Sequence, residues 1–352
     1  SNKDHITEAF VQLGHFISQF TTETPEKKEN ILHNQLFFDG FKHQIKLAKE
    51  HNGWFTQQNI QYALKGWSDQ LTKATLQNWL KKYDLTTTNP KTVAIIMAGN
   101  IPLVGFHDFL CVLLTGHSVL VKQSSNDKHL LPYLAKYLEH ITPDLKGKIT
   151  FTEDKLQNFD AVIATGSNNT ARYFEFYFKN KPSIIRKSRN SAAILTGSET
   201  PEQLDALSDD IFRYYGLGCR NVSKMFIPRD YNFDAFFNAM YKWNPIINEA
   251  KYANNYDYNK AVYIMSEFDM LENGFLMIKE DQSYASPIAT VFYEYYDSIE
   301  TLKQKLQLDK DLIQCIVANN FDDSEVSFGK TQQPELSDYA DDVDTIAFLL
   351  KI

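Results

Sequence analysis

Ile6, Phe10, Leu13, Phe16, Ile17 and Phe20 recur at intervals of three and four, the apolar stripe of an amphipathic helix. Charged stretches at residues 42–50 and 75–82 continue the pattern as solvated faces of packed helices. The spacing thus predicts helices over residues 1 to about 90. At residue 91 the texture changes. Residues 92–97 (Thr-Val-Ala-Ile-Ile-Met) form a short, continuous apolar run, followed by Ala98-Gly99-Asn100 and a helical pattern to Thr115. Residues 118–122 read as a second buried strand, and a helix is expected from about His129 to His140. Further strands fall at 148–152 and 160–164, then a turn at Gly166 and a helix from about Asn169. Short buried strands alternating with helices predict a parallel sheet covered on both faces.

A second α/β stretch follows, with strands expected at 191–195, 223–227, 289–292 and 312–317 and a helix at 201–215. The apolar segment 344–350 reads as a terminal strand, and the Asn- and Tyr-rich patch 252–258 as a surface loop. No internal repeat is visible.

Composition narrows the classes. At about 150 residues per domain, 352 residues make two domains or one elaborate α/β fold. Lys and Arg number 36 against 44 Asp and Glu, so the chain carries no basic footprint for nucleic acid. An aromatic content of 14% excludes a disordered chain. Three cysteines make no disulfide framework, which fits a reducing compartment. The most apolar run, 106–121, is broken by His107, Asp108, Gly116 and His117, so no membrane insertion is expected. With no apolar signal segment at its start, the chain is expected in the cytoplasm.

Several motifs fail. Gly329-Lys330-Thr331 looks like the end of a phosphate-binding loop, but the required glycine five residues earlier is Ser324. No G-x-G-x-x-G follows a predicted strand, and no G-x-S-x-G occurs. The His and Cys spacings suit no zinc site, and no metal is expected.

The three cysteines are not equivalent. Cys111 and Cys315 sit within apolar elements and read as inert core. Cys219 lies in Gly216-Leu217-Gly218-Cys219-Arg220-Asn221-Val222-Ser223-Lys224. Glycines there allow close backbone approach to a ligand, and Arg220 and Lys224 would favour the thiolate. On spacing alone it reads either as a nucleophile or as a thiol in a tight helix-to-strand turn.

Four segments in order resemble the aldehyde dehydrogenase superfamily, in its acyl-CoA reductase branch typified by LuxC. They are residues 97–105 (Met-Ala-Gly-Asn-Ile-Pro-Leu-Val-Gly), 119–122 (Val-Leu-Val-Lys), 164–172 (Ala-Thr-Gly-Ser-Asn-Asn-Thr-Ala-Arg) and 216–224. A C-terminal stretch, 328–341, is also similar to LuxC. The resemblance runs from about residue 91 to the end; the first 90 residues carry no placeable motif.

The resemblance implies a two-lobed α/β fold. Residues 1–190 would be a helical cover with a Rossmann-type cofactor domain, 191–327 a catalytic domain, and 328–352 a C-terminal return strand. Cys219 matches the nucleophile that forms an acyl-enzyme. Asn100 matches the amide that stabilises the oxyanion, a donor whose loss typically costs about 10²–10³ in rate. Gly166 and Ser167 match the turn that holds the cofactor pyrophosphate at a helix N-terminus. Lys122 matches the lysine that reaches the adenosine ribose. Three residues on, many NAD-preferring relatives carry Glu where this chain has Ser125, so NADPH is expected over NADH.

Two departures matter. Hydrolytic relatives place a Glu upstream of the cysteine to activate water, whereas residues 184–190 hold no acid, which disfavours oxidation to a free acid. The Glu that holds the nicotinamide ribose is replaced by Ser283. The implied reaction is NADPH-dependent reduction of a fatty acyl thioester to an aldehyde, with the acyl group taken from CoA, an acyl carrier or an acyl-protein synthetase partner. The alternatives are an acyltransferase or thioesterase using the same cysteine, or a non-catalytic assembly subunit. A homo-oligomer is expected.

Overall fold

The computed structural model describes residues 2–86 and 89–352, which fall into two compact units. One takes the described residues up to Lys187 together with Glu335–Ile352, and the other takes Ser188–Pro334.

The first unit opens with four helices, α1 (Asn2–Ile17), α2 (Asn34–His51), α3 (Gln57–Gln70) and α4 (Lys73–Leu80). The sheet region follows as β1 (Thr92–Ile96), α5 (Phe106–Leu114), β2 (Ser118–Lys122), α6 (Leu130–Ile141), β3 (Ile149–Thr152), β4 (Ala161–Thr165), α7 (Asn168–Tyr177) and β5 (Ser183–Arg186). The five strands are parallel, in the order β3-β2-β1-β4-β5. Strand alternation divides their side chains between two cores. Val93, Ile95, Ala161 and Ile163 face the helical cover, while Ala94, Val162 and Ala164 pack with Leu156, Phe159, Phe174 and Phe178 on the other face. The α1 stripe is buried as its period demands, with Phe10 edge-on to Phe106 and Phe16 stacked on Tyr137 at 4.4 Å.

The second unit holds β6 (Asn190–Ile194), α8 (Pro201–Phe212), β7 (Val222–Pro228), α9 (Phe233–Met240), α10 (Ala250–Met265), β8 (Met270–Glu272), β9 (Met277–Glu280), β10 (Thr290–Tyr296), α11 (Ile299–Leu308) and β11 (Ile313–Val317). Its sheet runs β11-β6-β7-β10-β9-β8, parallel except for β8 against β9. The start of α8 is fixed locally by a capping box between Thr200 and Gln203 with Pro201 at its first position.

Two sequence expectations are corrected. The patch 252–258 is helical, inside α10, because its tyrosines find tertiary partners. Tyr252 is buried with its hydroxyl on the Phe275 carbonyl, and the Tyr256 hydroxyl reaches Glu272. The C-terminal segment is no strand but a helix, α12 (Thr345–Lys351). Asp344 caps it by accepting the Ala347 N–H at 2.9 Å, and Ile346 and Leu349, three apart, are fully buried.

Polar groups fasten this tail to the first unit. His107 donates to the Leu336 carbonyl at 3.0 Å and His117 to the Leu349 carbonyl at 2.8 Å. Trp79 Nε1 and Tyr83 meet at the Tyr339 hydroxyl, and Arg186, bidentate on Asp108, also reaches Thr345. Among the described residues no helix is long and apolar enough to cross a membrane.

Candidate active site

Cys219 is the exposed member of the three cysteines; Cys111 and Cys315 are buried. Burial pushes the Cys111 thiol well above its ordinary value, which suits an inert core residue. The chain reaches Cys219 from the end of α8 through Tyr214, Tyr215 and Gly216, all three left-handed at φ 56°, 58° and 76°. Two consecutive tyrosines in that region are strained. Both are buried, so packing holds them there.

The loop is fixed on each side of the thiol. On the upstream side the Gly218 N–H donates to Asn221 Oδ1 at 2.8 Å. Asn221 Nδ2 in turn donates to the carbonyls of Asp210 and Arg213 at 3.0 and 2.8 Å. Ser191 Oγ donates to the Cys219 carbonyl. Downstream, Arg220 Nε donates to the Thr331 carbonyl at 2.5 Å.

Lys224 corrects the sequence reading of a cation that favours the thiolate. It is fully buried and its ammonium binds Glu294 at 2.8 Å, the Asp281 carbonyl at 2.5 Å and the Ser283 carbonyl at 3.3 Å. Its charge is spent on those partners. Arg220, next to Cys219 in the chain, donates instead to a neutral carbonyl.

The other candidate residues belong to the first unit. Because its strands are parallel, the segments after β1, β2 and β4 lie at one edge of the sheet, and the chain reverses direction of travel between β1 and β4. Open α/β sheets bind ligands at such a point. Asn100 lies after β1, Lys122 and Ser125 at and after the end of β2, and Gly166 and Ser167 after β4.

The loop carrying Asn100 is closely seated. A Cβ on Gly99 would collide with the Ser124 side chain, so glycine there lets this loop lie against the one that carries Ser125. Leu103 is left-handed at φ 59° and its N–H donates to Asp127 Oδ2 at 2.8 Å. Asp127 is held at about 6 by burial, and its other oxygen is buried with no hydrogen-bond partner. Lys122 is half-buried, and its carbonyl accepts the Met97 N–H at 3.0 Å. Ser125 is exposed, with its carbonyl taking the His51 ring N–H at 2.6 Å.

At the β4–α7 turn, Ser167 is the N-cap of α7, accepting from the Thr170 N–H. The first turn of α7 is exposed and carries no acid. Backbone N–H groups at such an end favour an anion, so the turn fits a pyrophosphate. Ser283 offers no carboxylate for a ribose; its N–H donates to Asp281 at 2.8 Å and its carbonyl is taken by Lys224.

Sequence reasoning missed Ser191, Asp210, Asp127 and Thr331. A buried acid leaves one signal, a carboxyl inside an apolar helix face, and Asp210 between Leu207 and Ile211 shows it. Ser191 had none.

The family model described as acyl-CoA reductase (LuxC) matches residues 21–236, more than half of the chain. It reaches back into the helical segment that carried no placeable motif and leaves out 328–341. A long-chain acyl-protein thioester reductase of Aliivibrio fischeri is 24% identical over 235 residues, which take in 59% of this chain and 47% of that protein. The chain thus spans about half the length of that curated relative.

Among solved structures, the fold is similar to a NAD-dependent aldehyde dehydrogenase of Sinorhizobium meliloti (TM-score 0.62, 12% identity, 94% of this chain and 72% of that one). It is also similar to an indole-3-acetaldehyde dehydrogenase of P. syringae in complex with NAD+ (0.60, 13%, 89% and 72%). An acetylating aldehyde dehydrogenase of Geobacillus thermoglucosidasius matches comparably (0.60, 10%, 90% and 76%). With an aldehyde-dehydrogenase-like α/β fold and a family match over most of its length, the chain belongs to the LuxC family of acyl-CoA reductases.

Proposed function

We propose that the protein reduces a fatty acyl thioester to an aldehyde through an acyl group carried on Cys219. The observation that carries this reading is the contrast among the cysteines. Two are buried, while Cys219 is exposed in a loop whose main chain is pinned before, at and after the thiol.

In this reading the Cys219 thiolate attacks the thioester carbon of an acyl-CoA or acyl carrier and expels the donor's sulfur as a thiolate. Asn100 donates its side-chain amide to the oxygen that gains charge. The hemithioacetal on Cys219 then collapses to aldehyde and regenerates the thiolate. NADPH, when bound, supplies the hydride. The β4–α7 turn at Gly166 and Ser167 would hold its pyrophosphate, and Lys122 with Ser125 its adenosine ribose. An acyl-protein synthetase is a fitting donor partner, and a homo-oligomer a fitting assembly.

The absence of an acid over residues 184–190 supports reduction over hydrolysis. Ile184, Ile185 and Arg186 form part of strand β5, and Arg186 is committed to Asp108. A second reading, acyl transfer without reduction, is favoured by Ser283, which brings no carboxylate to a ribose. The deciding experiment is the intact mass after brief mixing with palmitoyl-CoA, with and without NADPH. An acyl adduct on Cys219 that disappears with NADPH supports the reductase. An adduct indifferent to NADPH supports acyl transfer, and a wild-type protein without an adduct overturns both.

A further inference from the structure

Asp210 sits in the last turn of α8 with 1% of its surface exposed, and none of the chemistry above uses it. Its carboxylate accepts three hydrogen bonds from one distant segment. Oδ2 takes the Gly329 N–H at 2.7 Å, and Oδ1 takes the Thr331 N–H at 3.1 Å and its hydroxyl at 2.8 Å. That segment is shaped for the approach. Gly329 is left-handed at φ 85°, and a Cβ there would stand 2.9 Å from the Ala206 Cβ on α8. The Gly-Lys-Thr run that fails as a phosphate loop therefore has a different task.

Both flanks of Cys219 end on this arrangement. Upstream, Gly218 is tied through Asn221 to the Asp210 carbonyl; downstream, Arg220 is tied to the carbonyl of Thr331, whose N–H and hydroxyl Asp210 holds. We propose that Asp210 is a positioning residue for Cys219, clamping residues 329–331 to α8 so that the cysteine loop is held in a single conformation from both sides.

A charged acceptor is required because three donors converge on it. An amide would turn its own NH₂ toward the Gly329 or the Thr331 donors, so Asp210→Asn conserves size but breaks the clamp. Small misplacements of a reacting group cost up to about a hundredfold in rate. The loss therefore falls on the chemical step, while recognition of the acyl donor is left alone. The claim rests on Cys219 as the acyl carrier, and its test separates the two.

Hydrogen–deuterium exchange and Cys219 acylation by palmitoyl-CoA, followed by intact mass, are measured on the full chain for wild type, Asp210→Asn and Thr331→Val. The milder Thr331→Val removes one donor and keeps the shape, so it serves if Asp210→Asn fails to fold. Expected is about tenfold faster exchange in peptides covering 216–221 with β6 and β10 unchanged. Acylation is about tenfold slower at saturation, with the half-saturating palmitoyl-CoA concentration unaltered.

Exchange at wild-type rates in the folded variants overturns the proposal, as does faster exchange with acylation at the wild-type rate. If wild type takes no acyl group, the proposed function fails. Exchange alone then decides whether Asp210 places the loop.

Discussion

Ser191 Oγ donates a hydrogen bond of 3.0 Å to the carbonyl of Cys219 while accepting the Cys315 N–H at 3.1 Å. One hydroxyl near the start of β6 thus ties the exposed cysteine to the neighbouring edge strand β11, and the thiol projects from a main chain that the sheet itself holds. The position is fully buried, so neither water nor a flexible side chain substitutes for it.

Ser191→Ala should therefore act twice. Leaving the Cys219 carbonyl and the Cys315 N–H without this partner costs about 1–3 kcal/mol, read as a lower urea midpoint. Acylation of Cys219 should slow as well, by more than the fraction of unfolded protein explains. Wild-type acylation in a folded Ser191→Ala variant would show that this tie has no part in the chemistry.

Lys224 and Glu294 give a second expectation. The ammonium is buried between the rings of Phe226 and Tyr284, and burial lowers its pKa. Glu294 is its only carboxylate contact among the described residues. Glu294→Gln strands that cation and should cost about 3 kcal/mol or more. Lys224→Met removes the charge and fills the space. The Glu294 left behind is partly exposed and still has Lys305 at 3.7 Å. Thermal unfolding should rank Glu294→Gln below Lys224→Met; the opposite order would mean that Lys224 is not held as a cation.

Asp127 sets a pH dependence. Its folded-state value of about 6 lies above the ordinary 3.8, with burial as the first cause. Between those values the folded chain binds more protons than the unfolded one. The stability this contributes is complete below about pH 4 and is lost as pH rises through 6. Asp127→Asn cannot titrate yet still offers an oxygen to the Leu103 N–H. Relative to wild type, the variant should gain about 2–3 kcal/mol between pH 4 and pH 7. Urea midpoints at the two pH values read this directly, and an equal difference at both would exclude Asp127 as the titrating group.

These long-range ties mark where the sequence stops being legible. The strands over 92–96 and 118–122 are readable because central parallel strands are continuously apolar and bounded by turn residues. Cys219 stands out because glycines and an arginine surround it. The run Ile346-Ala347-Phe348-Leu349-Leu350 is too short for its period to separate strand from helix, although Asp344 three residues before Ala347 is a capping signal. In α10 the low helix propensity of its Asn and Tyr residues is overridden by the burial of Tyr252 and Tyr256. Asp210 and Thr331 are 121 residues apart, and nothing local to either announces the other.

Ser125 bears on cofactor choice. It is exposed just beyond β2, two residues before the half-buried Asp127, in a loop anchored by His51 on its carbonyl and by the close approach of Gly99 to Ser124. A side chain introduced there extends from a fixed backbone into solvent. If Lys122 and Ser125 flank the adenosine ribose, Ser125→Glu places a carboxylate where a 2′-phosphate would bring its own negative charge. Titration of tryptophan fluorescence with each nucleotide should show NADPH binding weakened about tenfold or more, an effect of about 1.4 kcal/mol. NADH, with only hydroxyls there, should change far less. The penalty should shrink in high salt, since an exposed repulsion is screened. Equal NADPH affinity in the variant and wild type would move the ribose away from Ser125 and remove the argument for NADPH.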